Sequence, residues 1–345
     1  PLESGNYLQH RVRGTGFYLT NLKDALVKEF PANDYVFFKR GDRLPKQVDV
    51  IHIPYFEPFF NTLPFLNLDK TVVTVHDLTP LVFKNKFPAG VKGKAKWNVQ
   101  KRLLKNCERI IADSKSSKKD ITEFTGIENS RIDIVYLAAA EYFKQNKKKS
   151  DIEKTIKKLK LPGKFLLYVG DVTWNKNLPG LIEAVGRTDH FLIIVGKAFV
   201  NQEYDRNNLW NQDLSKAQKL ASLNNKIIPL GYVADEDLVN LYNISTAVIM
   251  PSFYEGFGLP ILEAMQSGWP VITRKSGSIE EVAGEAAYYV NPESIESIEK
   301  GINEVMGNNE LRSGLSNKGL LQAKKFNWKK TAEQTIEVYR KVIGS

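Results

Sequence analysis

The chain has almost no sulfur chemistry to offer: one cysteine, Cys107, and three methionines in 345 residues. A single cysteine excludes an intrachain disulfide and a cysteine-built metal cluster. Histidine is also scarce, with four in all, and no group of His, Cys and carboxylates has the spacing of a metal site. No apolar run reaches the roughly 18–20 residues that cross a bilayer, and no secretory signal is legible at the start. The expected setting is cytoplasmic, with a peripheral place at the inner membrane face as its variant. Internal repeats and low-complexity domains are missing too. The run Asp235-Glu236-Asp237 imitates a metal-binding Asp-x-Asp, but it opens a helical pattern with Leu238 and Leu241 on one face. Asp235 therefore reads as an N-cap and its neighbours as first-turn acids.

What is present is an ordinary globular balance, 42% hydrophobic and 26% charged, with length enough for two domains. The net charge of +10 is unevenly placed. Residues 1–160 hold 30 of the 49 Lys+Arg and 18 of the 39 Asp+Glu, a net of +12, which leaves −2 for the remainder. Such asymmetry points one domain at an anionic partner.

Strand and helix patterns alternate twice over, which predicts α/β architecture with two parallel sheets. In the first half, 1–16 is a polar loop and 17–30 an amphipathic helix. Strands are expected at 35–38, 50–53, 71–75, 109–112 and 132–136, with helices at 90–106 and 116–124. The strand that normally feeds a first glycine loop is absent. The second half has strands at 165–169, 191–195, 226–229, 247–250, 271–273 and 287–290. The predicted domains are 1–160 and 161–328, with the lysine-rich stretch 146–160 as a linker plus solvated helix. A final helix, 329–345, has no strand left to cover in its own domain and is expected to return to the first.

The most informative stretch is 251–270. An apolar strand leads into a turn with Glu255, Gly256, Phe257 and Gly258. A helix then opens at Leu259-Pro260, with proline in a first-turn position where its missing N–H costs nothing. Unpaired first-turn N–H groups make such an end an anion site. Glu255 and Glu263 bracket it, and a carboxylate suits vicinal hydroxyls of a sugar or ribose. Singly, each glutamate reads as a dipole partner or a solvated turn residue; the conjunction with the glycines favours a nucleotide-sugar site.

The run Glu255-Gly-Phe-Gly-Leu-Pro-Ile-Leu-Glu263 resembles the hallmark of the retaining glycosyltransferases of family 4, whose GT-B fold has two Rossmann-like domains facing a cleft. The resemblance extends from Gly14 to the final helix. It implies that Glu255 contacts the transferred sugar, Glu263 the ribose hydroxyls, and the amides of Gly256, Phe257, Gly258 and Leu259 the phosphate or sugar. Gly170, Lys176 and Asn177 match the family's diphosphate-binding stretch, with Lys176 as a point charge and Asn177 as a helix N-cap. The family usually adds an arginine there, but Asp171 and Asn175 occupy its two positions. His76, just past the strand 71–75, matches a histidine near the reaction centre. Gly14 and Gly16 resemble the glycine loop that approaches donor and acceptor, and Tyr232 and Val233 fall in the loop whose backbone meets the nucleobase. Ser114 stands at another cleft edge.

The function implied is a metal-independent retaining hexosyltransferase, mannosyltransferase-like in flavour. Its donor is GDP-mannose or a UDP-sugar, and its acceptor a glycan or lipid-linked molecule of polysaccharide biosynthesis. No cofactor is expected. The segment 84–109 carries nine Lys and Arg interleaved with Phe87, Val91, Trp97, Leu103 and Leu104. It reads either as a solvated helix face or as contact with an anionic membrane surface. It has no stacking-aromatic module beside it, so nucleic acid is not an expected partner. Two alternatives stay open: a nucleotide-sugar epimerase of the same fold, and a non-catalytic binder of anionic membrane or nucleic acid.

Overall fold

The computed structural model describes residues 14–39, 42, 47–145 and 148–344. Chain order begins α1 (Thr15–Glu29), β1 (Ile51–Ile53), β2 (Thr71–Val75), α2 (Thr79–Val82), α3 (Gly90–Asn106), β3 (Arg109–Ala112), α4 (Lys115–Thr125) and β4 (Ile132–Ile134). It continues through α5 (Lys149–Leu159), β5 (Phe165–Val169), α6 (Leu178–Gly186), β6 (Phe191–Val195), α7 (Lys197–Val200), α8 (Gln212–Ser222) and β7 (Ile227–Gly231). After these come α9 (Asp235–Ile244), β8 (Ala247–Met250), α10 (Leu259–Gln266), β9 (Val271–Thr273), α11 (Ser278–Ala283) and β10 (Ala287–Tyr289). Three helices close the chain: α12 (Ile295–Gly307), α13 (Asn309–Ala323) and α14 (Trp328–Ile343).

Two compact units result: of the described residues, one takes those in 14–85, 89–138 and 326–344, the other those in 86–88 and 139–325. In the first, four strands pair in parallel in the order β1-β2-β3-β4. The last helix belongs here because its apolar stripe finds a sheet here. Val338 and Val342 of α14 join Val72, Ile111 and Val135 in one buried cluster, and the Thr331 hydroxyl donates to the Tyr136 carbonyl at 2.8 Å. The expected strand at 35–38 does not form. The Tyr35 hydroxyl reaches the Leu26 and Phe30 carbonyls at the end of α1, while Val36 and Phe37 stay exposed. Those side chains are spent on a helix end and on solvent, not on a ladder. The loop expected before α1 lies mostly outside the described residues.

The second unit has six parallel strands in the order β10-β9-β8-β5-β6-β7. Its middle strands are apolar throughout because both faces are covered by helices; every side chain of β5 and β8 is buried. Chain direction across the sheet reverses between β5 and β8, and in open α/β sheets the carboxyl ends beside such a reversal form the crevice where ligands bind.

Two expectations are corrected by packing. The division falls at residue 138 rather than 160, because α5 packs on α9: the Thr155 hydroxyl donates to Asp237 at 3.1 Å and Lys158 pairs with Asp237 at 2.6 Å. That same contact absorbs the acid of the false Asp-x-Asp. Asp235 is the first residue of its helix, and the residue before it, Ala234, is the cap.

At the carboxyl ends of β5, β6 and β7, Gly170, Gly196 and Gly231 approach one another by backbone. The Gly170 N–H donates to Val195 and the Gly196 N–H to Gly231, each at 3.0 Å. A Cβ on Gly196 would lie 2.2 Å from the Gly170 carbonyl oxygen, so Gly196→Ala is expected to cost about 1–3 kcal/mol. Gly314→Ala in α13 meets nothing within 4 Å and should be neutral or slightly stabilising. Urea unfolding of the two variants checks both.

Candidate functional site

The residue after a parallel strand leaves the ladder, and its side chain is free for chemistry. Two such places in the second unit lie at the reversal of strand order. After β5 the chain makes a short turn, Trp174–Lys176, before α6; after β8 it makes the glycine turn before α10. Asn175 joins the two. Its backbone carbonyl accepts the Phe253 N–H at 2.7 Å, its side-chain amide donates to the Tyr254 carbonyl at 2.9 Å, and its carbonyl oxygen accepts from the Thr173 hydroxyl. In this chain the position where the family often carries an arginine is thus committed to bridging the two turns. Asn177 starts α6 in the left-handed region at φ 53° without capping it. Its side chain instead donates to the Pro251 and Pro292 carbonyls at 3.3 and 2.8 Å. The cap expected from the sequence is thus a brace between loops.

The two braced turns bring Lys176 and Glu255 together, Nζ to Oε2 at 2.5 Å. The Glu255 side chain is 6% exposed and that of Lys176 19%. The other carboxylate oxygen, Glu255 Oε1, is buried with no hydrogen-bond partner. A buried acceptor left open is unusual in a native fold, since desolvation is not repaid. The turn is held from behind by the Ser278 hydroxyl, which donates to the Glu255 carbonyl at 2.6 Å. Gly258 takes φ 97° and so turns the chain into α10. Phe257 and Val233 are buried and anchor their loops, while Gly256 and Leu259 are half-buried and Tyr232 is 58% exposed. Glu263 sits in the second turn of α10, where its Oε2 accepts from the Tyr242 hydroxyl at 2.7 Å. Sequence reasoning missed Tyr242, Asn175 and Arg274; the last follows β9 and donates to the Phe253 carbonyl at 2.6 Å. Asn175 stood in the family stretch only as a departure from it, and Tyr242 and Arg274 lie in no motif; the strand order puts all three near the turn.

The other expected residues lie in the first unit. Gly14 precedes α1 at φ 66° and Gly16 is buried in its first turn. Ser114 caps α4: its hydroxyl accepts the Ser117 N–H at 2.9 Å. His76 follows β2 and Asp113 follows β3, and the register that pairs Val75 with Ala112 sets them side by side. Nδ1 of His76 is 2.6 Å from Asp113 Oδ2 and Nε2 is 3.2 Å from the Pro54 carbonyl. Nearby, burial holds His52 down to about 3. Burial, followed by Asp77, pushes Glu57 up to about 7 against the opposing pull of Tyr55 and His76. Asp113 and Glu57 were not singled out from the sequence, because each is an ordinary loop acid until the sheet register is known. Among the described residues no group of three or more His, Cys, Asp or Glu could hold a metal ion, and no helix is long and apolar enough to cross a membrane.

Two parallel α/β units, the second with an ion pair and a glycine turn at its strand-order reversal, define a protein of the GT-B glycosyltransferase type. Residues 149–341 match the model for glycosyl transferases group 1, and residues 11–138 that for glycosyltransferase family 4. The chain belongs to this family of glycosyltransferases. It is 30% identical over 284 residues to the O-antigen chain mannosyltransferase B of Escherichia coli, covering 79% of this chain and 71% of that one. It is 26% identical to the serotype-specific mannosyltransferase WbdA of Escherichia coli over 80% of its own length, but spans only 34% of that longer protein. Among solved structures it resembles HepE of Anabaena in complex with UDP and glucose, with a TM-score of 0.64 at 20% identity, over 77% of this chain and 70% of that one.

The Glu57 carboxyl gives a pH signature. Its folded value lies above the usual 4.5, so the folded state holds a proton that the unfolded chain releases. Stability therefore falls as pH rises from about 4.5 through about 7. Glu57→Gln should remove that decline, which denaturant midpoints measured across the window will show.

Proposed function

We propose that the protein transfers a hexose, with retention and without a metal, from a nucleoside diphosphate sugar to a hydroxyl of a glycan or lipid-linked acceptor. The observation that carries this reading is the Lys176–Glu255 pair with its open Oε1. An unpaired buried carboxylate oxygen calls for a donor, and a sugar hydroxyl supplies one at that place. The bond between the anomeric carbon and the diphosphate breaks while one to the acceptor oxygen forms, and the proton of the acceptor hydroxyl passes to the departing diphosphate oxygen. Negative charge grows on the leaving diphosphate, and Lys176 with the N-terminal dipole of α10 is the set to stabilise it, although the Ile261 and Leu262 N–H groups are spent on the Gly258 carbonyl. Tyr242 fixes the orientation of Glu263 for the ribose hydroxyls. Mannose as the sugar is favoured by the similarity to two mannosyltransferases.

The acceptor side of the reading includes an anionic membrane. In the first unit a loop, 57–66, is tied to α3 by Gln100, whose Oε1 accepts the N–H groups of Thr62 and Leu63 at 2.9 and 3.1 Å. This arrangement presents Phe60, Phe65, Leu66 and Val91 to solvent, the last two 76% and 86% exposed. Lys92 and Lys94 are exposed beside Val91, and Lys96 lies over the Phe60 ring at 5.5 Å. Apolar tips ringed by lysines match a bilayer with acidic headgroups, where each lysine near the surface contributes about 1 kcal/mol. The aliphatic Leu66 and Val91 favour lipid over nucleic acid.

Two experiments test the reading. With EDTA present, cognate donor should still be turned over, and Glu255→Ala should lower transfer by about 10²-fold or more. A strict metal requirement for every cognate donor would end the mechanism. In vesicle sedimentation, the protein should bind phosphatidylglycerol-containing vesicles and not phosphatidylcholine alone, with Phe65→Ser/Leu66→Ser releasing it. Binding to DNA but to neither vesicle would discard the membrane surface.

A further inference from the structure

His76 is held on every side. Three successive parallel strands end beside it: β1 leads to Pro54, β2 to His76 itself and β3 to Asp113. From α4, the Ser117 hydroxyl donates to the His76 backbone carbonyl at 2.9 Å. From α1, the Tyr18 ring meets the imidazole edge-on, with centroids 4.8 Å apart, and the Tyr18 hydroxyl is occupied with Thr74 at 3.0 Å. Asp77 is turned to the start of α2, its Oδ1 accepting the Thr79 N–H at 2.8 Å. The imidazole has little freedom to rotate.

Both ring nitrogens face acceptors. The Pro54 carbonyl can only accept, so Nε2 at 3.2 Å from it carries a proton. Nδ1 faces a carboxylate at 2.6 Å, the short distance of a charge-assisted bond. The Asp113 side chain is 2% exposed, and its second oxygen, Oδ1, has no hydrogen-bond partner. Burial pushes the Asp113 carboxyl above its usual range, and the contact with a charged His76 is what opposes that and favours the carboxylate. We infer that Asp113 is a positioning residue that, together with the Pro54 carbonyl, holds His76 as a doubly protonated imidazolium. His76 then serves as a fixed positive charge and not as a proton acceptor in the transfer. The inference rests on reading His76 as part of the site.

The charged groups around His76 agree in sign. Burial works against a charge on the imidazole. Asp113, its hydrogen bond, Asp77 and the Pro54 carbonyl outweigh it and hold His76 above the ordinary histidine value. Glu57, in the loop after β1, is pushed up to about 7 and so keeps much of its proton near neutral pH. His52, on β1, stays neutral because burial holds its own value down, so it does not compete. Asp113 thus sets the direction of the shift: without it, burial is opposed only by Asp77 and a carbonyl.

With only four histidines in the chain, ring nitrogens can be followed one by one by long-range proton–nitrogen NMR, the His76 signals being assigned by their loss in His76→Gln. In the wild-type protein near neutral pH, both His76 nitrogens should show the shifts of protonated nitrogen. In Asp113→Asn the ring should be neutral at the same pH, with its titration moved below the ordinary histidine value; Asp113→Glu should restore the cation. A neutral wild-type His76 would overturn the inference, as would an unchanged titration in Asp113→Asn. If Asp113→Asn does not fold, the wild-type spectrum still decides. In turnover, the kcat–pH profile should show no acid limb assignable to His76, whereas a proton-accepting histidine would produce one. The spectrum is read without donor or acceptor, so a failure of the transferase reading leaves it standing, and its own failure leaves the transferase reading intact.

Discussion

Parallel pairing of short buried strands is the constraint from which both candidate sites follow. A strand covered on both faces has no water to bond its N–H and C=O groups, so its neighbours must satisfy them. At the carboxyl end the ladder stops, and the chain turns off the sheet from a fixed position. In the second unit the residues at that point are Gly170 after β5 and Pro251 after β8, opening the turns that carry Lys176 and Glu255. In the first they are Pro54, His76 and Asp113. The side chains that meet are far apart in sequence, 79 residues for Lys176 and Glu255 and 37 for His76 and Asp113, yet each pair is a direct consequence of strand order and register.

The two sites use charge in the same way. Each sets one cation against one buried carboxylate and leaves the second carboxylate oxygen, Oε1 of Glu255 or Oδ1 of Asp113, without a partner. A fully satisfied pair would be cheaper, because each open buried acceptor costs about 1–3 kcal/mol. The penalty is borne on strand-end loops that are over-determined by their surroundings: Asn175, Asn177 and Ser278 brace one, Ser117 and Tyr18 the other. Such bracing holds each charge pair in place, which is the preorganisation that electrostatic stabilisation requires.

The fold was legible where periodicity was strong. Apolar runs marked β5, β6, β8 and β9 because both their faces are buried, and the last helix, with no strand left to cover in its own domain, was correctly returned to the first sheet, where Val338 and Val342 pack. The segment 35–38 misled because Tyr35, Val36 and Phe37 look like strand residues, whereas they cover a helix end and face solvent. The boundary at 160 misled for a related reason: a lysine-rich helix reads as solvated, and nothing local shows that Thr155 and Lys158 meet Asp237. Of the site, Lys176, Glu255 and His76 could be found because they sit in motifs next to strands. Tyr242, Arg274, Asp113, Glu57 and the bridging role of Asn175 could not, since each acts through a partner distant in the chain.

By itself the sequence determined the class of fold, the family, and the glycine turn between Glu255 and Glu263, because these depend on periodicity and on neighbours within one turn. It could place Lys176 and Glu255 on two turns, but not against each other. Only the tertiary structure decided that the glutamate of that turn is paired, that one of its oxygens is open, and that His76 is clamped between a carboxylate and a carbonyl. The reason is physical: hydrogen bonds and ion pairs across a sheet depend on register and strand order, and those are set by the packing of the whole unit and not by any stretch of it.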